Sequence, residues 1–337
     1  MLSPSTPVGA FTNVTIAAIN AALVQAGLVG TTGNVIYLDP ANGLDTNDGL
    51  TPSTTPGGHG PVQTLGAGYN LLRSGFNDVL VLIGNGTTTA SARLAAGFTW
   101  SKNAAHLIGV CAPSAISQRA RIAPFTGAAQ AAFANFFTVS GNGCLFSNVS
   151  WFQGFTAGVA ASICLTVSGT RNAFINCDVE GMGDATSAAD AGSRNILLKA
   201  DENYFYHCNI GLDTVARTNA NASVEFAGGC ARNYFERCTF PFLSGDGATL
   251  GVLGTGAACM DRWQLFRDCV FVNCIKSTGT AMTVLASLTN AAPGGLLAYH
   301  TCILIGITKF GDTNGLANSY CYGAVNSTAN SLAANPA

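Results

Sequence analysis

The chain has 337 residues, of which 48% are hydrophobic and only 9% charged, with a net charge of −2. That leaves too little positive charge for a broad electrostatic hold on nucleic acid or an anionic membrane, so neither is expected as a partner. The 40 glycines imply many turns and little long helix, and no run of about 20 apolar residues marks a membrane span.

Residues 1–33 read as an N-terminal arm. Between Thr15 and Leu28, the residues Ile16, Ile19, Leu23 and Leu28 fall roughly on one helical face, which predicts a short helix that caps the main domain or grips a partner. No Lys or Arg precedes this apolar run, so it lacks the basic start of a secretion signal. The stretch "DPANGLDTNDG" (39–49) offers Asp45, Asn47 and Asp48 as oxygen donors. Its spacing does not fit an EF-hand loop, and turns held by Asx side-chain bonds are expected instead. The runs "NVIYLDP" (34–40), "DVLVLIG" (78–84), "AHLIGVCAP" (105–113) and "ANFFTVSG" (134–141) read as strands, with large loops expected around 49–63 and 111–130.

Beyond residue 140 the sequence repeats. Six copies of aromatic–x–x–(Cys or Val)–x–apolar begin at Phe146, Phe174, Phe205, Phe235, Phe266 and Tyr299, at intervals of 28, 31, 30, 31 and 33 residues. Three residues after the aromatic stand Val149, Cys177, Cys208, Cys238, Cys269 and Cys302, and two before it stand Cys144, Asn172, Asn203, Asn233, Gln264 and Leu297. From the cysteine onward apolar and polar residues alternate, as in a strand, and the three-residue offset predicts a bend between aromatic and cysteine. Further β-rich runs lie at 162–169, 194–201, 222–229 and 281–288. Each unit therefore holds at least two strands, and no continuous amphipathic helix supports a helical repeat.

Stacked coils of a parallel β-helix fit this pattern. Equivalent residues would lie about 4.8 Å apart in columns of rings, thiols and amides, with each Asn bonding the backbone of its own bend and the amide of its neighbour. Cysteine suits such a column because it is small and apolar. In-register Cβ atoms stay near the coil spacing, beyond the roughly 3.5–4.5 Å of a disulfide, so free buried thiols and assembly in a reducing cytoplasm are expected. The solenoid is placed at 34–322, and the low-complexity tail 323–337 covers the last coil or stays mobile.

The stretch "VIYLDPANGLDTNDGLTPSTTPGGHGPVQTL", followed by "DVLVLIGNGT", resembles the opening of right-handed parallel β-helix proteins of the pectate-lyase-like superfamily. A Tyr-x-Asp-x-x-x-Gly-x-Asp-x-x-x-Gly stretch precedes the first coils in many tailed-phage virion proteins. The later "ARNYFERCTF" and "DRWQLFRDCVF" are similar to phage structural proteins of this fold. The resemblance covers roughly 34–305 and implies an all-β, right-handed parallel β-helix with coils of about 30 residues. The superfamily holds tailspike depolymerases, polysaccharide lyases and structural proteins, so the fold leaves the function open.

Columns facing outward are where chemistry would show. After the cysteines they read Ser150, Asp178, Asn209, Thr239, Val270, Ile303 and Phe152, Glu180, Gly211, Pro241, Val272, Ile305. Asp178 and Glu180 form the only acidic pair, on one strand and with no base foreseen beside them, so catalysis is not expected there. In the columns after the aromatic, Glu236 falls on Arg267 and Arg237 on Asp268, which predicts two surface ion pairs worth about 0–1 kcal/mol each. His207 and His300 read as ordinary surface histidines. "GNG" and "GTG" stretches lack the Lys-Ser/Thr of a phosphate loop, and no cofactor or metal is expected. Val270, Val272, Ile303 and Ile305 form an apolar outward patch, which calls for the C-terminal segment or another subunit to cover it. The expected function is a non-enzymatic structural protein of a tailed-phage virion, decorating or stabilising the head. Its expected partners are copies of itself (a homotrimer) and virion proteins such as the major capsid protein. The alternative is a tailspike or fibre protein that binds or depolymerises host surface polysaccharide.

Overall fold

The computed structural model describes residues 33–87, 90–111, 119–125, 130–154, 158–256, 258–274, 280–288, 294–311, 319–322, 325–326 and 331–332. The helix expected between Thr15 and Leu28 lies outside the described residues.

From Asp78–Ile83 to Ile307–Gly311 each coil of the chain contributes in turn to three sheets, here named A, B and C. In one complete coil, Ala173–Ile175 belongs to sheet A, Asp178–Glu180 to sheet B and Arg194–Leu198 to sheet C, after which Tyr204–Tyr206 returns to sheet A. Among the described residues, sheets A and B have ten strands each and sheet C has eight. Every pairing between these strands among the described residues is parallel except the last, where Ser331–Leu332 turns back antiparallel onto Val325–Asn326. The chain is thus an all-β parallel β-helix, and pairing runs past the expected boundary at residue 322 into Val325–Asn326.

Register places the repeat residues over one another. Phe146, Phe174, Phe205, Phe235, Phe266 and Tyr299 are Cα partners in succession along sheet A. All six point inward and are buried, as are Trp151, Val179, Ile210, Phe240, Phe271 and Leu304 from sheet B. Leu165, Ile196, Val224 and Val252 close the core from sheet C.

The bend between aromatic and cysteine is a left-handed residue in each repeat. Asn148, Asn176, His207, Arg237, Asp268 and Thr301 have φ between 51° and 60°. Asn tolerates that region best among residues with a side chain, whereas Thr and Arg are held there by the sheets on either side. This single residue turns the chain from sheet A to sheet B. The side-chain sequence restarts after it, which is why the aromatic-to-cysteine offset breaks the alternation.

Two departures occur near the N-terminal end. Arg121–Pro124 is a strand of sheet B, although its stretch reads as loop in the sequence, because four residues ending in Pro give too short a signal. Leu65–Leu71 is an α-helix, α1, that no amphipathic pattern announced. Thr64 caps it by accepting the Ala67 N–H, and Lys102 Nζ donates to the carbonyls of Tyr69 and Leu72 at 2.6 and 2.7 Å at its other end. Both contacts satisfy groups that a helix terminus leaves open. The Tyr69 ring lies 4.9 Å from Trp100 and so plugs the first coils of the core. Asp39 and Asp45 accept backbone N–H groups from Ala41, Asn42, Gln63 and Thr64, and Asp48 accepts that of Leu50. The acidic stretch thus holds the turns that seat α1.

Candidate functional site

The ladders account for most of the repeated residues. The inward rings stack with centroids 4.5 Å apart and planes within 4° from Phe174 to Phe205, and again from Phe205 to Phe235. The ends are looser, at 5.0 Å for Phe146–Phe174 and 5.4 Å for Phe266–Tyr299. Asn172 Oδ1 accepts the Cys144 N–H, Asn203 that of Asn172, and Asn233 that of Asn203, at 2.8–3.0 Å. Gln264 continues the series toward Asn233. Cys177, Cys208, Cys238, Cys269 and Cys302 are free thiols. Each donates to the carbonyl of the aromatic one coil earlier, at 3.3–3.5 Å. Burial pushes the Cys177 and Cys208 thiols well above the ordinary range, which leaves them poor nucleophiles. These columns are occupied with one another.

Chemistry is better sought on the outer faces. On sheet B, the register column runs Arg121, Ser150, Asp178, Asn209, Thr239, Val270, Ile303. Glu180 lies on the same strand as Asp178, two residues on, so the two carboxyls are separated by roughly 7 Å of strand. Here the structure corrects the sequence reading, because a base does stand beside the pair. Arg121 Nη2 lies 3.6 Å from Glu180 Oε2, the Ser150 hydroxyl donates to the same oxygen at 3.2 Å, and the guanidinium lies 4.7 Å from the Phe152 ring centre. Arg121 was missed because its coil lacks the aromatic–cysteine signature and so could not be aligned.

Asp178 and Glu180 are each only 2% exposed. Burial, and then the neighbouring Asp178, raises the Glu180 carboxyl to about 7, with Arg121 pulling the other way. A proton-holding acid beside a second carboxyl is the raw material of acid–base catalysis, but this pair is closed off from solvent. Asn209, the next residue in the column, is 3% exposed, and neither its Oδ1 nor its Nδ2 has a hydrogen-bond partner.

Sheet A carries a different outer face. Tyr204, Tyr206, Tyr234 and Trp263 stand on three successive coils, outward of the phenylalanine stack. The Glu236 and Arg267 backbones are in register, yet neither of the two foreseen ion pairs forms. Glu236 instead accepts the Tyr204 hydroxyl at 2.7 Å, and Arg267 donates to the Tyr234 hydroxyl at 3.3 Å and lies 3.7 Å from Asp268. Arg237 donates to the Tyr206 hydroxyl at 3.2 Å, and Asp268 accepts from the Thr301 hydroxyl. A rigid phenol reaches across a coil with two torsions to fix, so it wins the charge that a longer, floppier partner would have met. His207 stacks on Tyr206 at 4.3 Å, and the His300 ring nitrogen Nδ1 lies 3.2 Å from the Thr301 hydroxyl.

At the C-terminal end of sheet B the outer column turns aliphatic. Ile303 and Ile305 are 43% and 41% exposed, and Val270 and Val272 are half-buried beside them. The four are adjacent in register, so they form one patch. Val325–Asn326 extends the sheet beyond Ile303 and so continues the stack.

Among solved structures, the chain is similar to the pectin methylesterase PemA from Erwinia chrysanthemi, with a TM-score of 0.56 and 14% identity, covering 89% of this chain and 91% of that one. It is also similar to the pectin methylesterase from Aspergillus niger, with a TM-score of 0.54 and 12% identity, covering 84% and 89%. At such identity the likeness shows the fold, a right-handed parallel β-helix, and nothing of the activity. No protein-family model matches the sequence, and no curated protein matches it.

Proposed function

We propose that this chain is a non-enzymatic structural protein of a tailed-phage virion, decorating or stabilising the head as a homotrimer in contact with other virion proteins such as the major capsid protein. The observation that carries this reading is the aliphatic patch of Val270, Val272, Ile303 and Ile305, half-buried to exposed and adjacent in register on two successive coils. Water disfavours such a patch, and a partner surface relieves it. The closed acidic pair supports the same reading, since a polymeric substrate needs an open one. Locating the protein's density on assembled particles tests the role. Absence from the particle refutes it. Val272→Asp with Ile305→Asp tests the patch and is expected to release subunits or detach the protein from the particle, whereas unchanged assembly removes the patch from the argument.

A second reading, a tailspike or fibre protein that binds or cleaves host polysaccharide, is favoured by one observation. Tyr204 and Tyr206 stand beside the Glu236 carboxylate on the outer face of sheet A, and rings beside carboxylates suit sugars. Incubation with host capsular or lipopolysaccharide glycans separates the two, with new reducing or unsaturated ends favouring the second.

A further inference from the structure

We infer that the joint between the coil of Leu107 and the coil of Phe146 is sensitive to protons: His106 serves there as a ladder acceptor, and acid parts sheet A at that level. The inference stands apart from the virion reading.

Comparison between coils carries it. Along sheet A, the N–H groups of Ala173, Tyr204 and Tyr234 are accepted at 2.9 Å by the carbonyls of Cys144, Asn172 and Asn203. Each of those carbonyls lies two residues before an inward ring. Leu145 is the register partner of Ala173, and Ala105 lies two residues before Leu107, the partner of Phe146. The Ala105 carbonyl would therefore be the acceptor for Leu145, but it takes the Trp100 indole N–H at 3.2 Å. The Leu145 N–H goes instead to the His106 ring nitrogen Nδ1 at 3.0 Å. Pairing here accordingly begins at Leu107–Phe146, one residue later than at the next joint, where Ala173–Leu145 comes first.

An imidazole accepts only through a bare nitrogen, so Nδ1 carries no proton while this bond stands. The other nitrogen, Nε2, faces Asn77 Oδ1 at 3.3 Å and holds the ring's one proton. A second proton turns Nδ1 into a donor facing a donor. A backbone carbonyl has no such alternative, so the bond fails at this joint under conditions where its counterparts persist.

The surroundings favour the neutral ring. His106 is buried, and burial holds it below the ordinary 6.5. Asp78, on the adjoining strand Asp78–Ile83, pulls the other way. Its carboxylate is already engaged, by Arg73 at 2.8 and 3.0 Å and by the Asn34 and Arg73 N–H groups. From the opposite side Leu145–Ser147 brings no ionisable side chain, and burial pushes the Cys144 thiol up, which keeps it neutral. The ring takes a proton more readily once the joint is open. Opening therefore becomes easier below 6.5, by about tenfold per pH unit until the native ring itself is protonated. Sheets B and C stay paired across the same joint, through Ile122–Trp151 and Phe137–Leu165. Acid thus parts one side of the rod and leaves the N-terminal coils hinged on the other two.

Hydrogen exchange followed by NMR on the full-length chain reads the joint directly. After correction for intrinsic exchange, protection of the Leu145 N–H is expected to fall at least about tenfold between pH 8 and pH 5. The Tyr204 N–H, held by the Asn172 carbonyl, is expected to keep its protection. His106→Asn places an amide oxygen near the position of Nδ1 and does not titrate, so it is expected to abolish the fall. Ring nitrogen shifts of the wild type at pH 8 are expected to put the proton on Nε2, a measurement that needs no variant to fold. Four results would each overturn the inference: protection of Leu145 that is flat with pH, an equal fall at Tyr204, an equal fall in His106→Asn, or a proton on Nδ1 at pH 8.

Discussion

Replacing Glu180 with glutamine should reshape how stability depends on pH. The wild-type carboxyl holds its proton until about 7 in the folded chain, against 4.5 for an ordinary glutamate. The folded state therefore binds more protons than the unfolded state between those values, and stability falls as pH rises through that window. Integrated over the window, the fall amounts to roughly 3 kcal/mol. The contribution is fully present below 4.5 and gone above about 7. Carboxylates such as Asp78, which Arg73 and backbone donors hold below the usual range despite burial, act in the opposite sense and lose their contribution only as acid protonates them. The amide of the variant has no proton to lose. The difference in unfolding free energy between Glu180→Gln and wild type should therefore grow in favour of the variant by roughly 3 kcal/mol between pH 5 and pH 8. Urea unfolding at the two pH values and fixed ionic strength, followed by circular dichroism, measures that difference. Parallel profiles for the two proteins would show that Glu180 titrates normally, and the account of its closed environment would fail.

Three further outcomes follow from the same packing. Asn209→Leu removes a buried amide with neither atom bonded and should stabilise the chain by about 1–2 kcal/mol; a loss in thermal unfolding would show that an ordered water or another group serves the amide. Phe205→Ala opens a hole between two rings at 4.5 Å and should cost about 3–5 kcal/mol in denaturant unfolding. Asn233→Ala withdraws the acceptor of the Asn203 N–H and should cost about 1–3 kcal/mol, with hydrogen exchange speeding at Asn203 before its neighbours.

The solenoid was legible because its interior repeats. Phe174, Phe205 and Phe235 occupy one column, and a packed column accepts only one kind of shape, so the sequence repeats it. Where the packing changes, the trace fades. The coil holding Arg121 presents Leu107 where later coils present phenylalanine, and its partner to Glu180 could not be placed. Helix α1 is seven residues long with Gly66 and Gly68 inside it, so tertiary contacts and the caps from Thr64 and Lys102 sustain it. On the outer face of sheet A the register of Glu236 and Arg267 could be read. Which side chain reaches which could not, because that depends on lengths and torsions rather than on spacing.

The amide and thiol columns share a direction. Asn203 completes the corner of Asn172, Asn233 completes that of Asn203, and Cys208 finds its acceptor on the strand of Phe174. In both columns each turn of the rod is finished by its successor. A ribosome releasing this chain would at each moment hold out one raw edge, waiting for the next thirty or so residues to seal it. Synthesis from the N-terminus supplies these bonds in order, and a chain cut short would end on an unsealed rim.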